Sequence, residues 1–250
     1  MSPGALSPQL LRLVGQLIAA GLAYAILRAI GLYEFMFPEA GGLGTLILLL
    51  GSIYAVMYAF VIFVIWGQFT DVENFAMREA SALDDLLRFS QYLNGDASHA
   101  IRRALVNYTQ MVVKSEWPSL GERRRDPQTE KAFSGLTNAV IQAKPGEAAE
   151  EQMRERLIDI VRRAGEHRDD RLAKSLTQIP GTLVRLVQGM ALGLLLLVFV
   201  YPFHKGAVGF GCFALLAVVL FGANLVMRDT DNPFQGVCNA SPQAFSELMG

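Results

Sequence analysis

Residues 40–70 read AGGLGTLILLLGSIYAVMYAFVIFVIWGQFT, and no residue in this stretch carries a charge. A helix needs about 20 predominantly apolar residues to cross the roughly 30 Å hydrocarbon core of a bilayer. The stretch exceeds that length and predicts a transmembrane helix, which we place at residues 43–66. This segment alone makes the chain a candidate integral membrane protein.

Three further stretches have the length and composition of a transmembrane helix. They cover residues 10–33, 183–203 and 206–227. A short turn containing His204 and Lys205 separates the last two. We therefore predict an all-α polytopic membrane protein with four transmembrane helices and a cytoplasmic helical insert between the second and the third.

The composition supports this class and excludes several others. Of the 250 residues, 52% are hydrophobic and 18% are charged, and the mean hydropathy is +0.32. Soluble domains carry about 25% charged residues. The net charge of −1 argues against a nucleic-acid-binding protein, which needs a strongly basic surface. Two Cys and three His exclude a disulfide scaffold and a four-Cys zinc site, and we expect no metal centre and no cofactor.

The charged residues are concentrated between residues 67 and 181. Arg12, Arg185 and Arg228 lie at the same predicted membrane face as this insert, whereas the loops at the other face contain one basic residue, Lys205. Lys and Arg accumulate on the cytoplasmic side of membrane proteins. We therefore predict that the insert and both termini are cytoplasmic.

The insert has the periodicity of helices throughout, and no segment alternates as a strand does. The second span is expected to continue as one helix that ends at Asn94-Gly95, followed by an amphipathic helix that ends before Pro118. Asp126-Pro127 is typical of a helix N-cap followed by Pro at the first helical position, and residues 121–126 are expected to be the least structured. A long charged helix is predicted to run from about Met153 to residue 178.

These features divide the chain into four parts. They are a first transmembrane pair (1–66), a cytoplasmic helical domain (67–181), a second transmembrane pair (182–228) and a cytoplasmic tail (229–250).

Motifs of catalysis are missing from the sequence. It contains no GxxxxGK[ST], HExxH, CxxC or GxSxG pattern, and each of these serves a specific chemistry. The isolated His residues and free Cys residues have simpler structural explanations. We therefore do not expect an enzyme.

Polar and small residues within the spans suggest contacts between helices. Arg28 lies near the outer end of its predicted helix and is expected to extend its guanidinium to the interface. Gln188 and Asn224 could form hydrogen bonds between helices, and Gly189 and Gly193 favour close helix packing.

The second span carries a candidate functional stripe. Ile53, Met57 and Val61 recur at four-residue spacing and share one helix face. Such a face can contact lipid, or it can line an apolar constriction on a symmetry axis, where dewetting gates the passage of ions. The sequence alone leaves both interpretations open.

The chain resembles the bestrophin-like family, in particular its bacterial branch, over about residues 8–248. The resemblance rests on the order of several short motifs rather than on a single one. They are Trp66-Gly67-Gln68-Phe69-Thr70-Asp71, the helix Ile101-Arg102-Arg103-Ala104-Leu105-Val106-Asn107-Tyr108, Glu116-Trp117-Pro118, Ile179-Pro180, and Asp231-Asn232-Pro233-Phe234-Gln235-Gly236.

This resemblance implies a homopentameric ion channel of the plasma (bacterial inner) membrane whose second transmembrane helix lines the pore. It places Ile53, Met57 and Val61 at an apolar neck. It also marks Asn232, Pro233 and Phe234 as a structural tail motif, in which we expect Phe234 to pack against the insert. The family's acidic cluster after this motif is replaced by Val237-Cys238-Asn239-Ala240-Ser241, so calcium gating is not expected.

The partners implied by this interpretation are the lipid bilayer, inorganic ions and further copies of the chain, with no nucleic acid. The alternative is a non-conducting membrane interaction or scaffold protein whose cytoplasmic insert binds a soluble partner. Conduction by the purified protein would separate the two.

Overall fold

The computed structural model describes residues 15, 19–31, 34–35, 37–144, 148–177, 179–230, 232–234 and 240–248. These residues form helices and turns, without a strand among them, which confirms the predicted fold class. In chain order the α-helices are α1 (Ala19–Ala29), α2 (Ala40–Ser90), α3 (Gly95–Met111), α4 (Trp117–Gly121), α5 (Pro127–Ile141), α6 (Ala148–Leu176), α7 (Gly181–Val200), α8 (Gly206–Thr230) and α9 (Gln243–Glu247).

Three of the described helices are long and apolar enough to cross a membrane: Ala40–Ser90, Gly181–Val200 and Gly206–Arg228. They correspond to the second, third and fourth predicted spans. The predicted first span, residues 10–33, falls partly outside the described residues, and the described helix Ala19–Ala29 is shorter. The count of four spans therefore stays a prediction.

The chain divides into two compact units. Met1–Ile65 and Gln178–Asp231 form the first, which we call the membrane unit. Trp66–Thr177 and Asn232–Gly250 form the second, which we call the insert unit. The C-terminal tail thus belongs with the insert, and the 51-residue helix α2 contributes to both units.

Polar side chains in the membrane unit bind other parts of the same unit. Gln188 Nε2 donates to Asn224 Oδ1 at 3.0 Å, which confirms the expected hydrogen bond between helices. Arg28 does more than extend to the interface. Its guanidinium donates to the carbonyl oxygens of Phe203 (3.0 Å) and His204 (2.7 Å), so it holds the turn between α7 and α8.

The start of the insert unit follows the predicted continuous helix, with one correction at its end. Helix α2 ends at Ser90 rather than at Asn94. Asn94 instead caps the next helix, because its side chain accepts a hydrogen bond from Ala97 N at 2.9 Å. An Asn side chain satisfies an orphan N–H at a helix start as readily as it tolerates a helix end, and periodicity does not separate these roles.

The prediction that the following helix ends before Pro118 is wrong. A π-helical turn, Val112–Glu116, joins α3 to α4, and Trp117 N–H donates to the carbonyl of Val112. A proline lacks the N–H and clashes with the carbonyl four residues earlier in a regular helix. The wider turn relieves that clash, so the helical path continues through Pro118 to Gly121.

The later helices of the insert agree with the sequence. Asp126 caps α5 by accepting hydrogen bonds from Gln128 N and Thr129 N, and Pro127 occupies the first turn, as predicted. The long charged helix is α6, which begins at Ala148 rather than at about Met153. Helices α2, α3, α5 and α6 bury their apolar stripes in one common core.

Candidate functional site

The face of α2 singled out from the sequence is not uniform in the membrane unit. Ile53 is 47% exposed, Met57 is half-buried, and Val61 has no exposed surface. Val61 lies in a small apolar core together with Ile179, Val187 and Met227. Within one chain, therefore, only the first two of these side chains are accessible from outside.

A broad exposed surface adjoins this face on the same helix. Leu49 is 57% exposed and Phe63 is 75% exposed. Two hydroxyl residues also lie on this surface, Thr45 and Ser52, and each donates to the carbonyl oxygen four residues earlier. Their hydrogen-bonding needs are met within the helix, so the surface can face lipid, another chain or an apolar lumen.

The insert unit contains a second candidate site, a buried chain of charged groups. We call it the ionic cluster; its members are Glu79, Tyr108, Glu116, Glu130, Arg168 and Arg171. Five helical elements contribute to it: α2, α3, the π-helical turn, α5 and α6. Only Glu130 is substantially exposed, at 57%.

Arg171 is the centre of the ionic cluster. Its Nε and Nη2 atoms lie 2.9 and 3.3 Å from the two carboxylate oxygens of Glu79, and Nη2 also lies 2.8 Å from Glu116 Oε2. Arg168 donates to Glu116 and Glu130, at 2.7 Å in each case. Tyr108 donates its hydroxyl proton to Glu79. The four buried charges, two carboxylates and two guanidinium groups, thus balance.

The protonation states follow from burial and from these contacts. Burial alone would lower the pKa of Arg171, but the adjacent carboxylates of Glu79 and Glu116 outweigh it and raise that pKa. Burial raises the pKa of the Glu79 carboxyl, opposed by Arg171 and Tyr108. Burial and the neighbouring Glu79 raise the pKa of Tyr108 well above its ordinary value. Tyr108 therefore stays a hydrogen-bond donor at physiological pH.

The sequence analysis missed this cluster, although a signal for it exists. On α6 the buried positions Leu157, Val161 and Ala164 are followed at the same spacing by Arg168 and Arg171. Charged residues in register with an apolar stripe predict buried ion pairs, since an unpaired buried charge is very costly. The pairing partners could not be read in the same way, because they lie on other helices.

The tail motif lies in the insert unit. Asn232 Nδ2 donates to the carbonyl of Gly121 at 2.6 Å, and Asn232 Oδ1 accepts from Phe234 N at 3.1 Å. Pro233 is buried, and Phe234 is 5% exposed with its ring centroid 5.2 Å from that of Trp117. The motif thus packs against α4, at Gly121 and Trp117.

Over the described ranges, no group of three or more His, Cys, Asp or Glu side chains is arranged to hold a metal ion. The carboxylates of the ionic cluster are occupied by guanidinium groups. Cys238 lies outside the described residues, and Cys212 is an exposed free thiol.

Long apolar helices joined to a charged helical unit define an integral membrane protein of all-α architecture. A model of the Bestrophin-like domain matches residues 42–245, and the chain therefore belongs to the Bestrophin-like family. This family is of the channel type.

Solved structures show the same fold. A bacterial bestrophin homologue from Klebsiella pneumoniae superposes with a TM-score of 0.68 at 14% identity, covering 94% of this chain and 95% of that one. A single-site variant of it gives a TM-score of 0.69 at 13% identity, covering 95% and 96% of the two chains. A structure described only as a membrane protein gives 0.67 at 13% identity, covering 94% and 96%. No curated protein sequence matches the chain.

Proposed function

We propose that the protein is the subunit of a homopentameric ion channel in the bacterial inner membrane, with α2 lining the pore. Membership of the channel-type family supports this function. The observation that carries the proposal is the large exposed apolar surface of α2, which includes Leu49, Ile53 and Phe63. Assembly around an axis would cover part of this surface and leave one strip to form the lumen.

The neck is proposed to centre on Ile53. Residues four apart lie close together on a helix face, and Met57 continues the strip from Ile53 toward the insert. Val61, the next position on this strip, is buried by packing within its own chain. The same spacing in the other direction reaches Leu49, which is 57% exposed. Rings of Leu49, Ile53 and Met57 would then form the constriction.

An apolar ring controls conduction through hydration. Ions that enter it lose water contacts and gain no polar ligand, so a narrow ring can be dry and closed. Shorter side chains widen the ring and lower this barrier. Because these side chains carry no charge, the proposed neck acts as a gate, and the choice of ion is made by other groups.

Recordings from the purified protein in planar bilayers test the proposal. The variant carrying Leu49→Ala, Ile53→Ala and Met57→Ala is expected to show a higher open probability or conductance than the wild type. Leu48→Ala is the matched control, because Leu48 is also exposed (72%) but lies about 100° around the helix from Leu49. Silence of both the wild type and the triple variant, with assembled particles confirmed, contradicts the proposal.

The scaffold alternative is favoured by a surface of α3. Arg102 and Arg103 are exposed beside His99 and form no ion pair within the part of the chain that the structure describes. An acidic soluble partner would complement this surface. If the protein is a non-conducting scaffold, it is silent in bilayers, and charge reversal by Arg102→Glu and Arg103→Glu abolishes binding of the partner. Currents from the wild-type protein would contradict this alternative.

A further inference from the structure

The C-terminal segment, residues 240–248, is seated on an aromatic pocket of the insert unit. Phe245 has no exposed surface, and its ring centroid lies 6.1 Å from that of Trp117. The indole Nε1 of Trp117 donates to the carbonyl of Ala240 at 3.1 Å. The guanidinium carbon of Arg171 lies 5.3 Å from the Trp117 ring centre and 5.4 Å from that of Phe245. Through Phe245, the segment therefore packs beside the guanidinium group of Arg171 and the ring of Trp117.

The segment has little internal stability of its own. Its helix α9 spans five residues, and isolated helices shorter than about 12 residues are marginal in water. The position of the segment consequently depends on its docking, through Phe245 and through the bond between Trp117 and Ala240. Elements with few buried contacts open locally at a low cost in free energy.

The ion pair between Arg171 and Glu79, which lies beneath this segment, depends on the exclusion of water. Arg171 and Glu79 have no exposed side-chain surface, and ion pairs are strengthened when water is excluded from them. Glu79 belongs to α2, so this ion pair attaches the insert-unit part of α2, residues 66–90, to α6. Departure of Phe245 would open a path for water to the opposite side of the Arg171 guanidinium.

We propose that residues 240–248 are a releasable latch. When docked, the latch keeps the ion pair between Arg171 and Glu79 dry, and so clamps the insert-unit part of α2. When released, it exposes Trp117, hydrates the ion pair and loosens α2. The latch is independent of the proposed function; only its effect on ion currents rests on that function.

Trp117 supplies a direct probe, because the chain contains only two Trp residues, Trp66 and Trp117. In a Trp66→Phe background, Phe245→Ala is expected to shift the Trp117 emission to longer wavelength and to increase quenching by acrylamide. Ser246→Ala, an exposed position of the same segment, is the matched control and should change neither. Unchanged emission in Phe245→Ala overturns the latch.

Hydrogen exchange tests the clamp itself. In Phe245→Ala, exchange of the α2 amides around Glu79 should rise about tenfold or more, while exchange in the middle of α5 stays at the wild-type rate. A uniform rise across the insert unit would show general destabilisation and overturn the proposal. So would a shift in Trp117 emission without any change in α2 exchange.

A chain that ends at residue 239 provides a second route if Phe245→Ala does not assemble. A synthetic peptide of residues 240–250 should bind it saturably and restore the wild-type emission of Trp117 and the slow exchange of α2. The same peptide with Phe245→Ala should not. Failure of the wild-type peptide to restore either signal contradicts the latch.

Bilayer recordings distinguish failure of the latch from failure of the channel. If wild-type currents exist, release of the latch should change the open probability. If neither protein conducts, the channel proposal fails, and the fluorescence and exchange results still decide whether the latch exists.

Discussion

At the scale of single residues, the insert unit is organised by charges placed where apolar side chains are expected. Arg171 occupies a position of the buried stripe of α6 and has no exposed surface. It is tolerated because two carboxylates and two aromatic rings surround it. The pairing makes each member dependent on the others, since removal of one leaves an uncompensated buried charge.

Arg171→Met should therefore be strongly destabilising. It leaves the carboxylates of Glu79 and Glu116 buried with one guanidinium fewer, and breaking such a pair costs about 3–5 kcal/mol. Denaturant unfolding of the purified protein would measure this loss. Arg162→Met is the matched control on the same helix, because its ion pairs are exposed to solvent and should contribute little to stability. Equal effects of the two substitutions would contradict the assignment.

Asp126 gives a prediction of pH dependence. Burial alone would raise its pKa, but hydrogen bonds from the side chains of Thr129 and Ser115 and from the backbone of Thr129 and Gln128 lower it below its ordinary value of 3.8. A carboxyl group with a lowered pKa in the folded state stabilises the fold above the unfolded-state pKa. That contribution is lost as the pH falls through the folded-state pKa.

The free energy of unfolding of the wild type relative to Asp126→Asn should therefore be constant near neutral pH and should shrink as the pH falls below about 4. The Asn side chain retains the N-cap oxygen, so the comparison isolates the ionised carboxylate. Asp84→Asn serves as the control, because Asp84 lies in an exposed ion pair on α2. A difference that grows at low pH would contradict the predicted sign.

At the scale of elements, two glycines on α8 differ in their surroundings. One lies in a close contact with another helix, and the other faces open space. A Cβ atom added at Gly209 would overlap the hydroxyl oxygen of Tyr24 on α1 and would lie 2.8 Å from the ring of Phe203. At Gly211 an added Cβ meets no atom within 4 Å. The two positions share one helix and differ only in what faces them.

Gly209→Ala should disturb the packing of α1 and of the turn before α8 on this helix. Overpacking typically costs about 1–3 kcal/mol, and the thermal stability of the assembled protein in detergent would report it. Gly211→Ala should be neutral or slightly stabilising, by up to about 1 kcal/mol, because alanine favours helix more than glycine does. Equal tolerance of both substitutions would refute the contact between α1 and α8.

At the scale of the whole molecule, the distribution of charge predicts orientation. The basic residues of the insert unit and of the adjoining helix ends predict a cytoplasmic insert unit with cytoplasmic termini. Gly42 and Glu122 are both exposed in their units, so a Cys at either position should be reactive where the reagent can reach it.

Gly42→Cys in intact cells should react with a membrane-impermeant maleimide, and Glu122→Cys should not. Both variants are made after replacement of Cys212 and Cys238 by Ala, so that the introduced thiol is the only one. Permeabilised cells provide the control, in which both positions should react. Labelling of the Glu122 position from outside would show that the orientation is the reverse of the proposed one.

Local physics explains how much of the fold was predictable. Long uncharged runs, the N-cap at Asp126 and the extension of α2 into the insert depend on neighbours along the chain, and sequence periodicity reports those neighbours. The errors lie where one residue type serves two local roles. Asn94 starts a helix rather than ending one, and Pro118 continues a helical path through a π-helical turn.

The sequence by itself thus determined the helices, the membrane character and the family resemblance, because each follows from composition and short-range order. Only the tertiary structure decided that Val61 packs inside its own chain while Ile53 is exposed. It alone paired Arg171 with Glu79, 92 positions away in the chain. Burial and ion pairing depend on which helices meet, and contacts between distant segments leave no periodic trace in a single sequence.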